Sequence, residues 1–350
     1  MNLVTGATGL LGSHLAEKLV QRGRPVRALV RATSNTAFLR SLGVELAPGD
    51  LTDPESLRRA LRGVTVVYHA AAKVGDWGPW RDFQAYTIDG TRNILDACSS
   101  AGVERLIHVS SISAYGHPAA RPEPITEDEP LGQNLWIWDY YTRAKVAAER
   151  LVWDHHHRTG LPVTVIRPSW LYGPRDRTST GRLVEALANR RMWIIGRGNN
   201  RLNLAYAGNV ADGALLAADS PAAVGQAYNL SNDGSITQAE YLNSIAAELR
   251  VRPVRRRLPF RLAFVGAFGL EAWGRLIRRS RPPLLSRYAA WLMGRSSFYS
   301  TQKARDQLGW RSHVSYPDGI RLTVAWYLNQ TKTQKGEPER QEKERQYSAA

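Results

Sequence analysis

The chain has 350 residues, 43% hydrophobic and 22% charged, which suits one large domain with a smaller lobe. A single cysteine, Cys98, excludes an internal disulfide framework and any cysteine-built metal site, and it fits a reducing, cytoplasmic setting. The net charge of +16 is concentrated between Arg250 and Arg311, where fifteen basic residues face two acidic ones, Glu271 and Asp306; this points to an anionic membrane surface or an anionic substrate. Nucleic acid is disfavoured, because no zinc finger, RNA-recognition sequence or basic-aromatic stacking motif accompanies the charge.

Nothing before residue 20 resembles a signal peptide, and no run reaches the roughly 18 apolar residues of a membrane span. The opening strand NLVTG is so short that an initiation site upstream stays an open expectation. It runs directly into VTGATGLLG, which places Gly6, Gly9 and Gly12 between a strand and a helix. Glycines there let backbone amides approach a pyrophosphate seated on the positive helix end, with Thr8, Leu10 and Leu11 sharing the turn. The second strand, VRALVR, ends on Arg31. At that point, roughly 20 residues on, an acidic residue would bind the ribose hydroxyl of NAD, whereas an arginine suits the extra phosphate of NADP. Arg31, with Arg27 nearby, points to NADP and leaves NAD open.

VELAPGD reads as the third strand and delivers Asp50, suited to the adenine amine, with Leu51 beside it. TVVYHAA is the fourth; its Ala70 and Ala71 are small where a dinucleotide would cross the sheet, and Lys73 follows. RLIHVSS, VTVIRPS and the shorter GQAYNLS complete the strands, several near-continuously apolar as buried parallel strands are. SHLAEKLVQRG, DPESLRRALRG, TRNILDACSSAG and TRAKVAAERLVWDHHHRTG have helical periodicity and a glycine at or near their ends. The alternation predicts an α/β fold, a Rossmann-type doubly wound parallel sheet.

The stretch WIWDYYTRAK, at 136 to 145, sets two tyrosines side by side with a lysine behind them. On a helix, side chains three or four positions apart share a face, so Tyr141 meets Lys145 while Tyr140 meets only Ala144. A phenol ordinarily titrates near ~10, and an adjacent ammonium favours phenolate, so Lys145 is expected to pull Tyr141 down toward a working proton shuttle. An amphipathic helix turning a tyrosine inward would show the same spacing, so other parts of the chain must decide.

In order along the chain, Gly6-x-x-Gly9-x-x-Gly12, Asp50-Leu51, HAAA, VSSISAYG, Tyr141-x-x-x-Lys145 and RPSWLYGP resemble the extended short-chain dehydrogenase/reductase family over roughly residues 1 to 327. The resemblance implies that Ser111 hydrogen-bonds the substrate carbonyl or hydroxyl. It further implies that Tyr141 is the general acid-base, that Lys145 lowers its pKa and holds the nicotinamide ribose, and that Pro168 and Ser169 contact the nicotinamide amide. Ser110 and Ser113 suit a turn role better, although Ser113 and Tyr140 are also placed near the substrate. One departure is Thr87, where the family usually has asparagine in N-V-x-G-T; a threonine offers one hydroxyl where asparagine offers a donor and an acceptor.

AAKVGDWGPW resembles the branch that contains 3β-hydroxysteroid dehydrogenases, sterol-4-carboxylate 3-dehydrogenases and 2-alkyl-3-keto acid reductases, with Trp77 and Trp80 as walls of an apolar pocket. The distal stretch from LPFRLAFVGAF onward resembles the lobe of the same branch. These features imply an NAD(P)-dependent oxidoreductase that interconverts a secondary alcohol and a ketone on a hydrophobic small molecule. Two rivals are a nucleotide-sugar epimerase or dehydratase, with Arg182 and Arg201 clamping a diphosphate, and a non-catalytic dinucleotide sensor. Residues 1–169 with 204–231 are expected to form the dinucleotide domain, 170–203 with 232–327 a mostly helical substrate lobe, and 328–350 a disordered tail. The basic segment 255–281 also suits a lid helix or a helix lying on an anionic membrane. The histidines at 155–157 point in different directions on a helix and are expected to be a solvated helix end, with no metal. An oligomeric state, a homodimer included, is not fixed by these features.

Overall fold

The computed structural model describes residues 1–119, 121–283 and 285–330. Seven strands form one parallel sheet: β1 (Asn2–Thr5), β2 (Val26–Val30), β3 (Glu45–Pro48), β4 (Val66–His69), β5 (Arg105–Val109), β6 (Val163–Pro168) and β7 (Gln226–Leu230). Their spatial order is β7-β6-β5-β4-β1-β2-β3, so the order reverses between β1 and β4. Ligands of open α/β sheets bind outside the carboxyl ends of the strands at such a reversal. The expected doubly wound fold is the observed one.

Both faces of the sheet are covered, which is why the strands read as nearly unbroken apolar runs. Leu3, Val67, Leu106, Val163 and Val165 face the helices Pro54–Ala60, Gly90–Ala101 and Tyr140–Thr159. Val4, Tyr68, Ile107 and Ile166 face the helices Leu10–Gln21 and Ala207–Asp219. Local signals set the helix ends. Asp53 accepts the backbone amides of Glu55 and Ser56 with Pro54 at the first helical position, and Gly102 and Gly160 close their helices in the left-handed conformation.

Beyond β6 the chain builds a lobe from short pairings: Trp170–Tyr172 with Leu204–Tyr206, Arg201–Leu202 with Ile236–Thr237, and Ile194–Ile195 with Arg257–Leu258. Helices Ser179–Ala188, Gln238–Glu248, Phe260–Leu276 and Arg287–Gly294 accompany them. Strand Leu204–Tyr206 thus pairs inside this lobe, while the Ala207–Asp219 helix that follows returns to pack on the sheet. A last helix spans 316–330, so 328–330 are helical where a tail was expected, and the rest of that expected tail lies outside the described residues.

Candidate active site

The glycine turn lies at the carboxyl end of β1. Gly6 has φ +69°, and a Cβ on it would come within 2.8 Å of the Ala71 backbone nitrogen; the Gly9 amide donates to the Gly6 carbonyl at 2.9 Å. Any side chain would fill the cradle, so the bare backbone and the free amides that open the Leu10–Gln21 helix are what a pyrophosphate would meet. Thr8 and Leu10 are half-buried on this turn, whereas Leu11 is a core residue. Ala70 and Ala71 stand beside Gly6 across the strand-order reversal, as the sequence expects.

A buried hydrogen-bond chain that sequence reading missed supports this crossing. Thr91 Oγ1 donates to the Thr87 carbonyl at 2.6 Å, so it accepts from His69 Nε2 at 3.1 Å. His69 Nδ1 then accepts from Thr5 Oγ1 at 2.8 Å, and Thr5 Oγ1 accepts the Ala71 amide at 3.2 Å. Burial, followed by the Lys145 charge, lowers His69 to about 3, so the ring is neutral and its proton sits on Nε2. Thr87 also accepts the Lys73 amide at 3.0 Å, a positioning role that its single hydroxyl can fill in place of asparagine. For Lys73 it is therefore the backbone amide that is engaged here.

Arg31 is exposed immediately after β2, and no partner among the described residues takes up its guanidinium. Arg27, by contrast, is spent on Glu45 at 2.7 Å and on the carbonyls of Ala60 and Arg62. Asp50 accepts from the Thr52 amide and hydroxyl through one oxygen, and Leu51 is buried with its carbonyl bound by Asn93. Pro168 ends β6, and Ser169 is tied to Leu230 and Ser231.

The Tyr140–Thr159 helix, which carries Tyr141, packs against the tight turn after β5. Ser111 follows β5 and caps a tight turn, Ile112–Tyr115, by accepting the Ser113 amide at 3.1 Å. Asp139 caps the Tyr140–Thr159 helix by accepting the Thr142 amide at 3.0 Å, and His117 Nε2 lies 2.9 Å from its carboxylate. Lys145, one turn along that helix, donates to the Val109 carbonyl at 2.9 Å. Tyr141 opens the same helix as Lys145, and the Ser111 hydroxyl counts among the groups that act on its phenol. The pKa expectation needs correcting. Burial raises the Tyr141 phenol above its ordinary value, opposed by the Ser111 hydroxyl, and one of the three Lys145 ammonium donors is taken by the Val109 carbonyl. Burial also lowers Lys145 itself to about 8, countered in part by the Glu149 charge.

The Tyr140–Thr159 helix is locked to β6 by a buried ion pair: Glu149 accepts from Arg167 Nε at 2.9 Å and Nη2 at 2.6 Å, and its other oxygen accepts from Ser110. Ser110 is therefore a helix anchor. Ser113 does more than satisfy a turn, because its hydroxyl lies 3.0 Å from Ser111 Oγ and 2.8 Å from the hydroxyl of Tyr288, in the lobe helix Arg287–Gly294. Sequence reading did not single out Tyr288. Tyr140 packs edge-on against Trp80 and Phe83. Trp80 is 37% exposed, on the outer side of that cluster. Trp77 donates to the Arg279 carbonyl at 3.0 Å and lies under the Arg275 guanidinium, which also covers Trp138 and Tyr140; it therefore clasps the lobe where a bare pocket wall was expected.

A cavity of about 300 Å³ lies elsewhere, lined in part by Arg201, Asn203, Asp233, Tyr299 and Arg305, and none of Ser111, Tyr141 and Lys145 borders it. Arg182 donates to its own helix at Thr178. The histidine run is not simply solvated, because His155 is buried with Nε2 2.8 Å from Ser99 Oγ, and His156 lies 2.7 Å from the Leu161 carbonyl. Among the described residues no cluster of ligands suits a metal ion, and no helix is long and apolar enough to cross a membrane.

Residues 2–231 match the NAD dependent epimerase/dehydratase family. The chain belongs to that family. It is 33% identical over 330 residues to the 2-alkyl-3-oxoalkanoate reductase of Stenotrophomonas maltophilia, covering 92% of this chain and 98% of that protein. It is 29% identical over 334 residues to the mouse sterol-4-alpha-carboxylate 3-dehydrogenase, covering 92% and 89%. Among solved structures, gox2253 superposes with a TM-score of 0.80 at 30% identity, over 94% of this chain and 98% of that one. The resemblance drawn from the motifs is thereby confirmed: this is an enzyme of the extended short-chain dehydrogenase/reductase type, a group whose named relatives include reductases and dehydrogenases.

Proposed function

We propose that the enzyme interconverts a secondary alcohol and a ketone on a hydrophobic substrate, with long-chain 2-alkyl-3-keto acids the foremost class and 3β-hydroxysteroids or sterols the second. What supports this reading is that the helix carrying Tyr141 and Lys145 packs against the turn that Ser111 caps after β5, with Lys145 bonded to the Val109 carbonyl, at the same carboxyl edge of the sheet as the glycine turn after β1. When bound, the dinucleotide supplies or takes up the hydride. Tyr141 gives its phenolic proton to the substrate oxygen in reduction and takes it back in oxidation, a step worth roughly 10² to 10⁴ in rate. Ser111 donates a hydrogen bond to the same oxygen, stabilising the charge that gathers there. Lys145 holds a positive charge one helical turn behind the phenol. The glycine cradle fits a pyrophosphate, and the unpaired Arg31 favours NADP over NAD.

The lobe supports a greasy substrate drawn from a lipid phase. Its Phe260–Leu276 helix exposes Leu262, Val265, Trp273 and Leu276, each more than three-fifths accessible, among the arginines of 255–281. Such a face suits an anionic membrane surface, and the protein is then cytoplasmic and membrane-associated. The reading is tested by offering purified protein a panel of sterols, long-chain 2-alkyl-3-hydroxy acids and sugar nucleotides with NAD and with NADP, and following nicotinamide absorbance. Reduction of the dinucleotide by a hydrophobic alcohol is expected. Conversion of a UDP-sugar without net redox, on protein that retains oxidised dinucleotide, would overturn it in favour of an epimerase.

A further inference from the structure

A line of hydroxyls runs from the lobe to the turn after β5, Tyr288, Ser113 at 2.8 Å and Ser111 at 3.0 Å beyond it, and the Tyr288 ring lies 6.2 Å from that of Tyr141. The direction of its protons follows from what each oxygen can do. Tyr288 is held neutral by burial, so it keeps a proton to donate, and among the described residues its hydroxyl bonds to Ser113 Oγ. Ser113, having accepted that proton, turns its own toward Ser111. Ser111 Oγ already accepts the Ser113 backbone amide at 3.1 Å, so both of its lone pairs are filled from Ser113. Its single proton is left to point at the oxygen of a bound substrate.

We propose that Tyr288 is a positioning residue which, through Ser113, fixes Ser111 as a donor aimed at the substrate oxygen. The proposal rests on the oxidoreductase reading above and adds a dependence on the lobe. The Arg287–Gly294 helix is seated by Arg287, whose backbone amide and Nε both reach the Glu271 carboxylate at 2.7 Å, and by Ser286, which donates to Asp76 in the loop after β4. The donor set at the substrate oxygen is thus completed only when the lobe is docked on the sheet. A donor already oriented needs no reorganisation as charge develops, which is how such groups lower a barrier.

Tyr288→Phe removes the hydroxyl and keeps the ring that lies 6.2 Å from Tyr141 and 6.4 Å from Trp291. With a long-chain 2-alkyl-3-hydroxyalkanoic acid as probe, kcat is expected to fall about 10-fold and KM to stay within about twofold, a smaller loss than the ~10² to 10³ seen when an oxyanion donor itself is removed. A donor at Ser111 acts to lower the Tyr141 phenol, so the alkaline-rising limb of the oxidation rate should move to higher pH in the variant. The titratable and charged groups around that phenol besides Ser111 are Asp139, which raises it, with its partner His117, Lys145 one turn along the helix, and Tyr288. Ser113→Ala should reproduce both effects, and the double variant should be no worse than Ser113→Ala alone. Wild-type kcat and an unmoved limb in Tyr288→Phe would overturn the proposal. So would losses that multiply in the double variant, because Tyr288 would then act on the substrate by itself. If Tyr141→Phe turns over normally the oxidoreductase reading falls; an inert Tyr141→Phe beside an unimpaired Tyr288→Phe sinks this proposal alone.

Discussion

Replacing Glu149 by alanine probes the anchor beneath the Tyr140–Thr159 helix. The Glu149 side chain is 0% exposed and that of Arg167 5% exposed, so the substitution leaves a buried guanidinium with two of its donors facing nothing. Arg167 keeps only its bonds to the Tyr115 hydroxyl at 2.7 Å and the Glu127 carbonyl at 3.0 Å, while Ser110 and Trp153 lose their acceptor. Removing one partner of a buried pair costs about 3 to 5 kcal/mol. An unfolding entropy of ~2.1 cal/mol/K per residue gives roughly 0.7 kcal/mol/K for a chain of this length, so Tm should fall by roughly 4 to 7 °C. Calorimetry or a circular-dichroism melt reads this directly. Glu149→Gln keeps an acceptor for the guanidinium and should lose less. It also removes the charge that supports Lys145 protonation, so the lysine should titrate below its present value of about 8. A Tm for Glu149→Ala within about 1 °C of wild type would refute the claim that this pair holds helix and sheet together.

Arg31→Asp should weaken NADP relative to NAD by roughly 10-fold to 100-fold, the worth of one charge-assisted hydrogen bond, as read from KM values for the two dinucleotides; an unchanged ratio would take Arg31 out of the cofactor site. His69 and His108 are both buried, the second with neither ring nitrogen bonded to a protein group, and burial holds both below the ordinary histidine value of 6.5. The folded state therefore binds fewer protons than the unfolded one below about pH 6.5, and stability should drop as the pH falls from there toward about 3. Urea midpoints at neutral and mildly acidic pH should show a shallower fall in His108→Leu than in wild type, and equal slopes would contradict the assignment. Pelleting with phosphatidylserine-containing vesicles should be lost in Leu262→Ser/Trp273→Ser and weakened by salt; equal pelleting of wild type and variant would remove the lobe helix as a membrane face.

Legibility in the sequence followed the range of the interactions. Most sheet strands could be read because burial on both faces writes itself as a local apolar run, the half-exposed edge strand β3 by its place in the β-α alternation, and the glycine turn because its spacing is itself the geometry. The helical period put Tyr141, and not Tyr140, on the face of Lys145, and the other motifs were needed to give that pairing a role. What escaped depends on distant partners. Tyr288 reaches Ser113 across 175 positions, and His69 meets His108 only through the register of β4 and β5. The histidine run misled because His155 finds a buried pocket beside Ser99 on the neighbouring helix, which no local pattern announces. Two-residue strands such as Ile194–Ile195 carry too few residues to show a period. The expected depression of the Tyr141 phenol failed for a related reason: the spacing places an ammonium one turn away, but burial and the Val109 carbonyl decide what it does there.

Proton transfer by Tyr141 is the central claim, and comparison of Tyr141→Phe with wild type under single-turnover conditions, in the same experiment as a dinucleotide-binding titration, tests it most directly. The account predicts dinucleotide affinity within about twofold of wild type and a chemical step slowed by at least ~10² to 10⁴. A chemical step in Tyr141→Phe within about threefold of the wild-type rate would contradict it.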